Sequence, residues 1–391
     1  MKIVFWIALF IVFYTYIGYG ILLYIIIRLK RLFVGRPHEA VLPADEELPT
    51  MTLMICAYNE EVIVKEKMAN TLALDYPKDK FRIMWVTDGS NDHTNELLAA
   101  YPEVDIVFSP ERRGKTAALK HGLRELKTRY VAFTDANTMI NTGALREIAR
   151  LFSDPTVGCV SGEKRVAARK AGEMASEGEG LYWRYESTLK RWDSELYSAM
   201  GAAGELYAID PQLCREVPDE ALLDDFMLSM YVVQAGKRIA YTSDAYAREY
   251  GSANIYEESK RKRRIAAGGL QSIWWLRSML NPLRQPLVTF QYVSHRVLRW
   301  SITPVAMVLL LIVNIALVAM GAGTFYTVML ILQTLFYLMA LAGWLTNRFG
   351  YKNKLLYTAY YFMFMNFNVF RGMAYLRSHG KSGAWEKAKR S

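Results

Sequence analysis

Long apolar runs occupy both ends of the chain, whereas shorter apolar runs alternate with polar ones in its middle. No charged residue lies between Ile3 and Ile27, and a helix of that length exceeds the roughly 30 Å of hydrocarbon in a bilayer. Two further apolar runs, Ile302–Met320 and Phe325–Leu345, are joined by a short uncharged link. We predict three membrane-spanning helices, the first a retained anchor, because a cleaved signal has an apolar core of only about 7–15 residues.

The last apolar stretch, Leu355–Leu376, is compatible with two structures. It contains Asn366, Asn368 and Arg371, so it is either a further span that faces protein or a helix in the membrane interface. Basic residues follow the first and third predicted spans, which places the central segment in the cytoplasm by the positive-inside rule. A crossing by the last stretch would put the basic tail, 378–391, outside, so its topology stays open.

The central segment alternates between strand and helix patterns. Strands are predicted at Thr52–Ala57, Phe81–Thr87, Val104–Phe108 and Tyr130–Phe133, with helical patterns between them. This alternation predicts an α/β domain with a mostly parallel, Rossmann-like sheet that is covered on both faces. Ligands of such sheets bind outside the carboxyl ends of the strands.

Three of the predicted strands end in polar residues. One acidic strand end is more often a helix cap or turn, but three at one sheet edge form a pocket rich in hydrogen-bond acceptors. Lys115, at the start of a predicted helix, supplies a cation beside them. Carboxylates, amide oxygens and a lysine suit a nucleotide whose diphosphate carries a divalent ion. The polar ends are Tyr58-Asn59-Glu60, Asp88-Gly89-Ser90 and Asp135-Ala136-Asn137.

Composition narrows the class of partner. The net charge of +10 could indicate nucleic acid, but much of the excess lies beside the apolar runs. Anionic lipid and a phosphorylated substrate account for it, so we expect no nucleic-acid partner. Cys56, Cys159 and Cys214 are far apart and show no metal-ligand spacing, so we interpret them as reduced packing residues.

Four ordered motifs resemble those of family 2 glycosyltransferases, the inverting GT-A group that includes cellulose, chitin and hyaluronan synthases. The resemblance implies that Ala57, Tyr58, Glu60, Asp88 and Lys115 bind a nucleotide sugar. It also implies a Mg²⁺ or Mn²⁺ site at Asp135 and Asn137, where Asn137 replaces the second Asp of the family motif. The motifs are Cys56-Ala57-Tyr58-Asn59-Glu60, Thr87-Asp88-Gly89-Ser90-Asn91-Asp92, Arg113-Gly114-Lys115-Thr116-Ala117-Ala118-Leu119 and Thr134-Asp135-Ala136-Asn137.

The second half of the domain is expected to bind the acceptor. The segment from Gly201 to Ile209, with Gly204, Glu205 and Tyr207, is similar to the family's acceptor-site segment, although a tight turn before a strand would explain it as well. Asp224 and Asp225 open an apolar helical pattern, and an N-cap role accounts for only one of them. Adjacent carboxylates raise one pKa, and the resemblance makes Asp225 the general base.

A basic run, Lys260–Arg264, follows the predicted base. A stripe on anionic lipid is one interpretation. The other is a diphosphate clamp, because Arg264 aligns with the Arg of the Gln-x-x-Arg-Trp motif of processive synthases. Arg261 and Ile265 stand where that motif has Gln and Trp, which weakens the case for a processive polymer synthase. The segment up to Trp300 mixes apolar, aromatic and basic residues and is typical of interfacial helices.

We therefore expect a multi-pass glycosyltransferase of the cytoplasmic membrane that transfers sugar from a UDP-sugar to a polysaccharide or lipid-linked glycan. The alternatives are a non-processive transferase acting on a lipid carrier and a catalytically silent subunit working with other subunits of an export complex. The predicted parts are an anchor (1–35), a GT-A domain (50–260), interface helices (261–300), a transmembrane region (301–377) and a basic tail (378–391).

Overall fold

The computed structural model describes residues 1–35, 41–167, 174–250, 255–349, 351 and 353–379. Most of the predicted basic tail, from residue 380 onward, lies outside the described residues. The strands are β1 (Met51–Ala57), β2 (Phe81–Asp88), β3 (Val104–Ser109), β4 (Tyr130–Asp135), β5 (Met139–Ile140), β6 (Val157–Ala167), β7 (Tyr207–Ile209) and β8 (Arg238–Tyr250).

The helices fall into three groups along the chain. At the amino terminus lie α1 (Lys2–Phe13) and α2 (Tyr19–Val34), joined by a π-helical turn, Tyr14–Gly18. Within the domain lie α3 (Val64–Leu72), α4 (Thr94–Ala99), α5 (Lys115–Arg124), α6 (Ala144–Phe152), α7 (Met174–Leu196), α8 (Asp224–Gln234) and α9 (Ile255–Trp275). After it come α10 (Pro286–Tyr292), α11 (Leu298–Trp300), α12 (Ile302–Ala319), α13 (Thr324–Arg348) and α14 (Lys354–His379).

Eight strands form one mixed sheet in the order β3-β2-β1-β4-β7-β6-β8-β5. The first four are mutually parallel, which confirms the prediction for this half. The short β7 runs antiparallel to both β4 and β6. In the register of the parallel half, Cys56 lies opposite both Val86 and Asp135, so the carboxyl ends of β1, β2 and β4 meet at one edge.

Both faces of the sheet are covered, which explains why its strands are apolar at consecutive positions. Along β1, Met54 packs into the core on one face, whereas Leu53 and Ile55 pack into the core on the other. Trp85 is fully buried in the second core. The three cysteines form no disulfide with one another, in agreement with their interpretation as packing residues.

Three helical segments among the described residues are long and apolar enough to cross a membrane, namely Lys2–Val34, Ile302–Ala319 and Thr324–Arg348. They coincide with the three predicted spans. Phe5 and Ala8 of α1 pack against Ala306 and Leu310 of α12.

The ambiguous stretch is one helix, α14, which packs against both α13 and α9. Its polar residues bind protein groups. Tyr16 of the amino-terminal π-helical turn donates a hydrogen bond to Asn366, at 2.5 Å. Ser259 of α9 donates to Asn368, at 3.0 Å, and accepts from Arg371, at 2.7 Å. These contacts explain the polar positions, while the course of α14 relative to the bilayer stays a prediction.

A buried polar network joins the amino-terminal helices to the domain. Asp193 of α7 is fully buried and accepts hydrogen bonds from Tyr19 of α2 and from Gln291 of α10. His295 contacts the same carboxylate through its Nδ1 atom. The segment predicted to be interfacial therefore differs from expectation in one respect, since its basic residues His295 and Arg296 are buried in protein.

We predict that Gly372→Leu separates α14 from α9. A Cβ at Gly372 would lie 2.8 Å from Ala266 Cβ and 2.8 Å from the Ala267 nitrogen, and overpacking of this kind costs about 1–3 kcal/mol. The thermal unfolding midpoint of the purified chain in detergent should fall, and that of Ala374→Leu, at an exposed position of the same helix, should not. Equal midpoints for the two variants would contradict the packing described.

Candidate active site

A cavity of about 410 Å³ opens where the carboxyl ends of β1, β2 and β4 meet. Tyr207 does not line it, because its ring is buried and stacked on Phe133 at a centroid distance of 4.7 Å. All the other predicted site residues line the cavity: Ala57, Tyr58, Glu60, Asp88, Lys115, Asp135, Asn137, Gly204, Glu205, Asp224, Asp225 and Arg264.

The carboxylate of Asp88 fixes the loop that leads into α5. It accepts backbone hydrogen bonds from Arg113, at 2.9 Å, and from Gly114, at 2.6 Å. Gly89 has φ +68°, and a Cβ there would lie 2.5 Å from the Arg112 nitrogen, so only glycine fits this close approach. The loop places the Arg112 guanidinium 4.0 Å from the centroid of the Tyr58 ring. The result is a cationic and aromatic rim at the mouth of the cavity.

Lys115, at the start of α5, reaches across the cavity to two carboxylates. Its ammonium group lies 2.7 Å from Asp135 Oδ1 and 3.9 Å from Asp224 Oδ2. Burial alone would lower the pKa of Lys115, but these carboxylates and Asp225 raise it well above its usual value. The lysine therefore remains charged and balances an acidic cluster.

The residues at this point suit a hard divalent cation. Asp135 and Asn137 both line the cavity, and Asp224 Oδ2 is buried without a hydrogen bond to any of the described residues. Carboxylate and amide oxygens are the ligands that Mg²⁺ and Mn²⁺ prefer. The described ranges contain no group of three His, Cys, Asp or Glu side chains that could hold a metal ion.

Asp225 lies in the first turn of α8, preceded by Leu223 at the N-cap. Neither aspartate is the cap, so capping explains neither of them. Burial, and then the neighbouring Asp224, raises the pKa of Asp225 to about 6. Its Oδ1 accepts a hydrogen bond from the Phe226 amide, at 2.8 Å. A Cβ at Gly204 would lie 2.6 Å from its Oδ2, so the missing side chain at 204 makes room for the carboxylate.

A buried lysine supports the turn that carries Asp135 and Asn137. Lys67 of α3 is fully buried and donates to the Thr138 carbonyl, at 2.5 Å. The Thr134 hydroxyl donates to the Glu205 carbonyl, at 2.8 Å, which connects this turn to the 201–206 loop. Burial lowers the pKa of Lys67 to about 7. Sequence reasoning missed this residue, since a lysine in an amphipathic helix normally faces solvent.

The basic run is not a stripe on lipid. Arg261 and Lys262 are buried, and both form ion pairs with Glu258, at 3.1 Å and 3.4 Å. The lipid-stripe interpretation is therefore wrong for these two residues. Arg264 lines the cavity, and its Nε atom is buried without a hydrogen bond to any residue in the described parts of the chain.

Several cavity residues were missed by sequence reasoning, including an aromatic platform thought to be absent. Trp300 lines the cavity and packs edge-on against Phe226, with ring centroids 5.0 Å apart. A Cβ at Gly269 would lie 2.5 Å from the indole, so the Gly268-Gly269 pair was the available signal. The other missed members are Trp183, Glu186, Lys190, Arg296 and Met365.

Residues 52–209 match the glycosyl transferase family 2 model. Over 125 residues the chain is 34% identical to a poly-beta-1,6-N-acetyl-D-glucosamine synthase of Staphylococcus aureus, covering 31% of this chain and 30% of that protein. Over 259 residues it is 25% identical to a beta-monoglucosyldiacylglycerol synthase of Synechocystis, covering 62% and 53%. The alignments thus span about a third and about half of these relatives' lengths.

A solved structure shares the fold along almost the whole chain. It is a mannosyltransferase of Pyrobaculum calidifontis in complex with GDP-Man and Mn²⁺, with a TM-score of 0.68 and 22% identity. The superposition covers 97% of this chain and 100% of that one. The likeness therefore extends beyond the sheet to the helices at both ends.

We predict that Lys67→Met changes how stability depends on pH. The pKa of Lys67 is about 7 in the folded chain and 10.5 ordinarily, so between these values the unfolded chain binds the extra proton and stability rises with pH. The variant lacks this contribution, which amounts to about 1.4 kcal/mol per pH unit. Thermal midpoints measured from about pH 7 to about pH 9 should diverge in favour of the native chain.

The exposed Lys78, replaced by Met, is the matched control for the loss of a lysine charge. Its profile should run parallel to that of the native chain. Parallel profiles for Lys67→Met as well would show that the buried lysine does not titrate in this range.

Proposed function

We propose that this chain, whose residues 52–209 match the glycosyl transferase family 2 model, is an inverting enzyme of the cytoplasmic membrane that transfers sugar from a UDP-sugar to a growing polysaccharide or lipid-linked glycan. The observation that carries the proposal is the position of Asp225. Its carboxylate, with a pKa raised to about 6, shares one cavity with the Lys115–Asp135 ion pair. A proton acceptor and a diphosphate site are thereby brought together.

The proposed reaction needs one proton transfer and one displacement. Asp225 accepts the proton of an acceptor hydroxyl, and the resulting oxygen attacks the anomeric carbon on the face opposite the diphosphate. The bond between that carbon and the diphosphate oxygen breaks, and the nucleoside diphosphate leaves with the electron pair. Lys115 and Arg264, which line the same cavity, are placed to stabilise the charge of the leaving group.

Asp135 and Asn137 would hold a divalent ion, Mg²⁺ or Mn²⁺, together with oxygens of the diphosphate. When bound, the ion would neutralise negative charge on that diphosphate. The buried Asp224 Oδ2, which accepts no hydrogen bond from the part of the chain that the structure describes, supports an additional cation at this point. Lys115 alone does not balance the negative charge of these carboxylates, so a divalent ion could bind beside it.

A second candidate function is the addition of one sugar to a lipid carrier without processive elongation. It is favoured by Arg261 and Ile265, which stand where processive synthases have Gln and Trp. Product length separates the two functions, since a ladder or long polymer from one acceptor supports the first and a single addition supports the second. A third possibility, a silent subunit of an export complex, predicts no transfer at all.

We predict that Asp225→Asn lowers sugar transfer by about 10²- to 10⁴-fold, the usual contribution of a general base. Purified membranes are incubated with labelled UDP-sugars, with GDP-mannose and with Mg²⁺ or Mn²⁺, and the products are sized. In the native enzyme, transfer should decline about tenfold per unit below about pH 6, because Asp225 becomes protonated. The exposed Asp79→Asn is the matched control, and unchanged transfer by folded Asp225→Asn would refute the assignment of the base.

We predict that Gly204→Ala impairs transfer through the same carboxylate. The added methyl group would lie 2.6 Å from Asp225 Oδ2 and must displace it, and small misplacements of a catalytic group cost about a hundredfold in rate. Gly143→Ala is the matched control, because a Cβ there meets no atom within 4 Å. Normal turnover by Gly204→Ala would show that Asp225 tolerates displacement.

A further inference from the structure

One wall of the cavity is basic. We define the basic wall as the cavity-lining residues of α7, α9, α14 and the helical segment 286–300. The rest of the lining is richer in carboxylates, with Asp88 and Asp135 at strand ends and Asp224 and Asp225 at the start of α8. On the basic wall, within the described residues, the charged members are Lys190, Arg261, Lys262, Arg264 and Arg296 against one carboxylate, Glu186.

Most cations of the basic wall are engaged within the protein. The Arg296 guanidinium lies 2.6 Å from Glu186 and donates to the Met200 carbonyl at 2.7 Å. Arg261 and Lys262 pair with Glu258. These contacts fix the positions of Arg261, Lys262 and Arg296, because each of these charges is held by a buried carboxylate.

Lys190 and Arg264 differ from these three cations, and Lys190 is the one that lies beside the Arg296–Glu186 pair on α7. Its side chain is only 5% exposed and lines the cavity, yet it forms no hydrogen bond or ion pair with any residue in the described ranges. Burial, and then the Arg296 guanidinium, lowers the pKa of Lys190 to about 8, against the opposing effect of Glu186, Glu205 and Asp225. A buried cation without a partner is costly, and an anion bound beside it would remove that cost.

The position of Lys190 favours the acceptor over the donor. Lys190 follows Glu186 by one turn of α7, and Glu186 pairs with Arg296, whose guanidinium lies 5.5 Å from the centroid of the Trp300 ring. Trp300 packs against Phe226, which is adjacent to the predicted base Asp225. A neutral sugar hydroxyl can accept a hydrogen bond from an ammonium group but cannot balance its charge, whereas a phosphate does both. The ligand expected here is therefore an anionic group that belongs to the acceptor.

The apolar members of the same wall identify the rest of the ligand. Met365 and Trp300 line it together with Ile265. Met365 belongs to α14, which packs against the candidate spanning helix α13, and the adjacent Asn366 is bonded to Tyr16 of the amino-terminal helix. The cavity thus reaches helices that meet the hydrocarbon, so the ligand carries an apolar chain beside its anionic group.

We propose that the basic wall binds the phosphate group of a phosphorylated lipid acceptor, with Lys190 as its direct counter-ion. This inference rests on the proposed glycosyl transfer and narrows its acceptor class. It concerns binding alone, so it applies equally to a lipid phosphate and to a sugar carried on a lipid diphosphate. In the second case the phosphate would anchor the acceptor while a hydroxyl of its sugar faces Asp225.

The test measures binding to the purified full chain in detergent micelles, without any transfer reaction. Farnesyl phosphate, farnesol and inorganic phosphate are titrated separately, and UDP with Mn²⁺ is titrated as a report on the donor site. Farnesyl phosphate should bind more tightly than either farnesol or inorganic phosphate. Lys190→Met should weaken the binding of farnesyl phosphate by about ten- to a hundredfold, the cost of losing a charged hydrogen bond. The affinities for farnesol and for UDP should not change.

Lys190→Arg should retain most of the affinity for farnesyl phosphate, and the exposed Lys78→Met, which removes the same charge, should retain all of it. Equal binding of farnesyl phosphate and farnesol would overturn the proposal, as would a loss confined to UDP, which would assign Lys190 to the donor. If inorganic phosphate bound as tightly as farnesyl phosphate, the proposal that the acceptor is a lipid would be overturned. If Lys190→Met does not fold, the proposal is still tested by the titrations of the native chain and by the affinity of Lys190→Arg for farnesyl phosphate.

Failure of this proposal is distinguishable from failure of the proposed function. Sugar transfer that depends on Asp225, together with equal binding of farnesyl phosphate and farnesol, would retain the enzyme and exclude the phosphorylated acceptor. Binding of farnesyl phosphate through Lys190, with no transfer from any donor, would retain the lipid site and exclude the transferase activity.

Discussion

Repulsion between carboxylates is the constraint on which the site depends. Parallel strands end at one sheet edge, so the acidic residues that follow them are brought together whether or not a substrate is present. Lys115 balances this charge by contacting Asp135 and lying close to Asp224. Asp224 and Asp225, at the start of α8, line the same cavity, and burial and then Asp224 raise the pKa of Asp225. The crowding of carboxylates in one cavity thereby yields a carboxylate suited to accept a proton.

The same constraint explains the division of the cavity into two walls. The strand ends carry carboxylate and amide oxygens, whereas the charged lining residues of α7, α9, α14 and the segment 286–300 are mostly cations. Glu186 shows how the basic wall is held together. It is buried beside Arg296, His295 and Arg299, and these neighbours, Arg296 first, lower its pKa well below the usual value despite burial. The wall is thus a fixed surface and not a set of mobile surface side chains.

The sequence identified site residues wherever their place in the site follows from their position next to a strand or helix in the chain. Strand ends could be located because apolar runs stop at Ala57, Asp88 and Asp135, and a parallel sheet then determines their proximity. The pairing of Asp224 with Asp225 was visible because the two are adjacent in sequence at the start of a helical pattern. Tyr207 was misjudged because an alternating pattern does not reveal which face of β7 meets the cavity, and its ring packs in the core.

Residues brought to the site by long-range packing could not be predicted in this way. Trp300 reaches the cavity because α9 has a glycine at 269, a contact between segments with no pattern in common. Lys190 lies in the middle of a charged helix, where sequence alone indicates a solvated side chain. Neither residue could be assigned to the site from the sequence, because the burial of Trp300 and Lys190 depends on how helices pack together. The hydrophobic pattern within one helix does not show that packing.

The bond from Tyr19 to Asp193 bears on whether the catalytic domain is a separable module. Asp193 is fully buried, and α2 contributes one of its hydrogen-bond donors while Leu23 and Ile27 of that helix pack beside Leu189 of α7. A soluble fragment beginning after α2 would keep this carboxylate, lose that donor, and expose the apolar surface of α7. The amino-terminal helix, a candidate membrane span, is therefore also part of the domain's own core, so removing the span would remove part of that core.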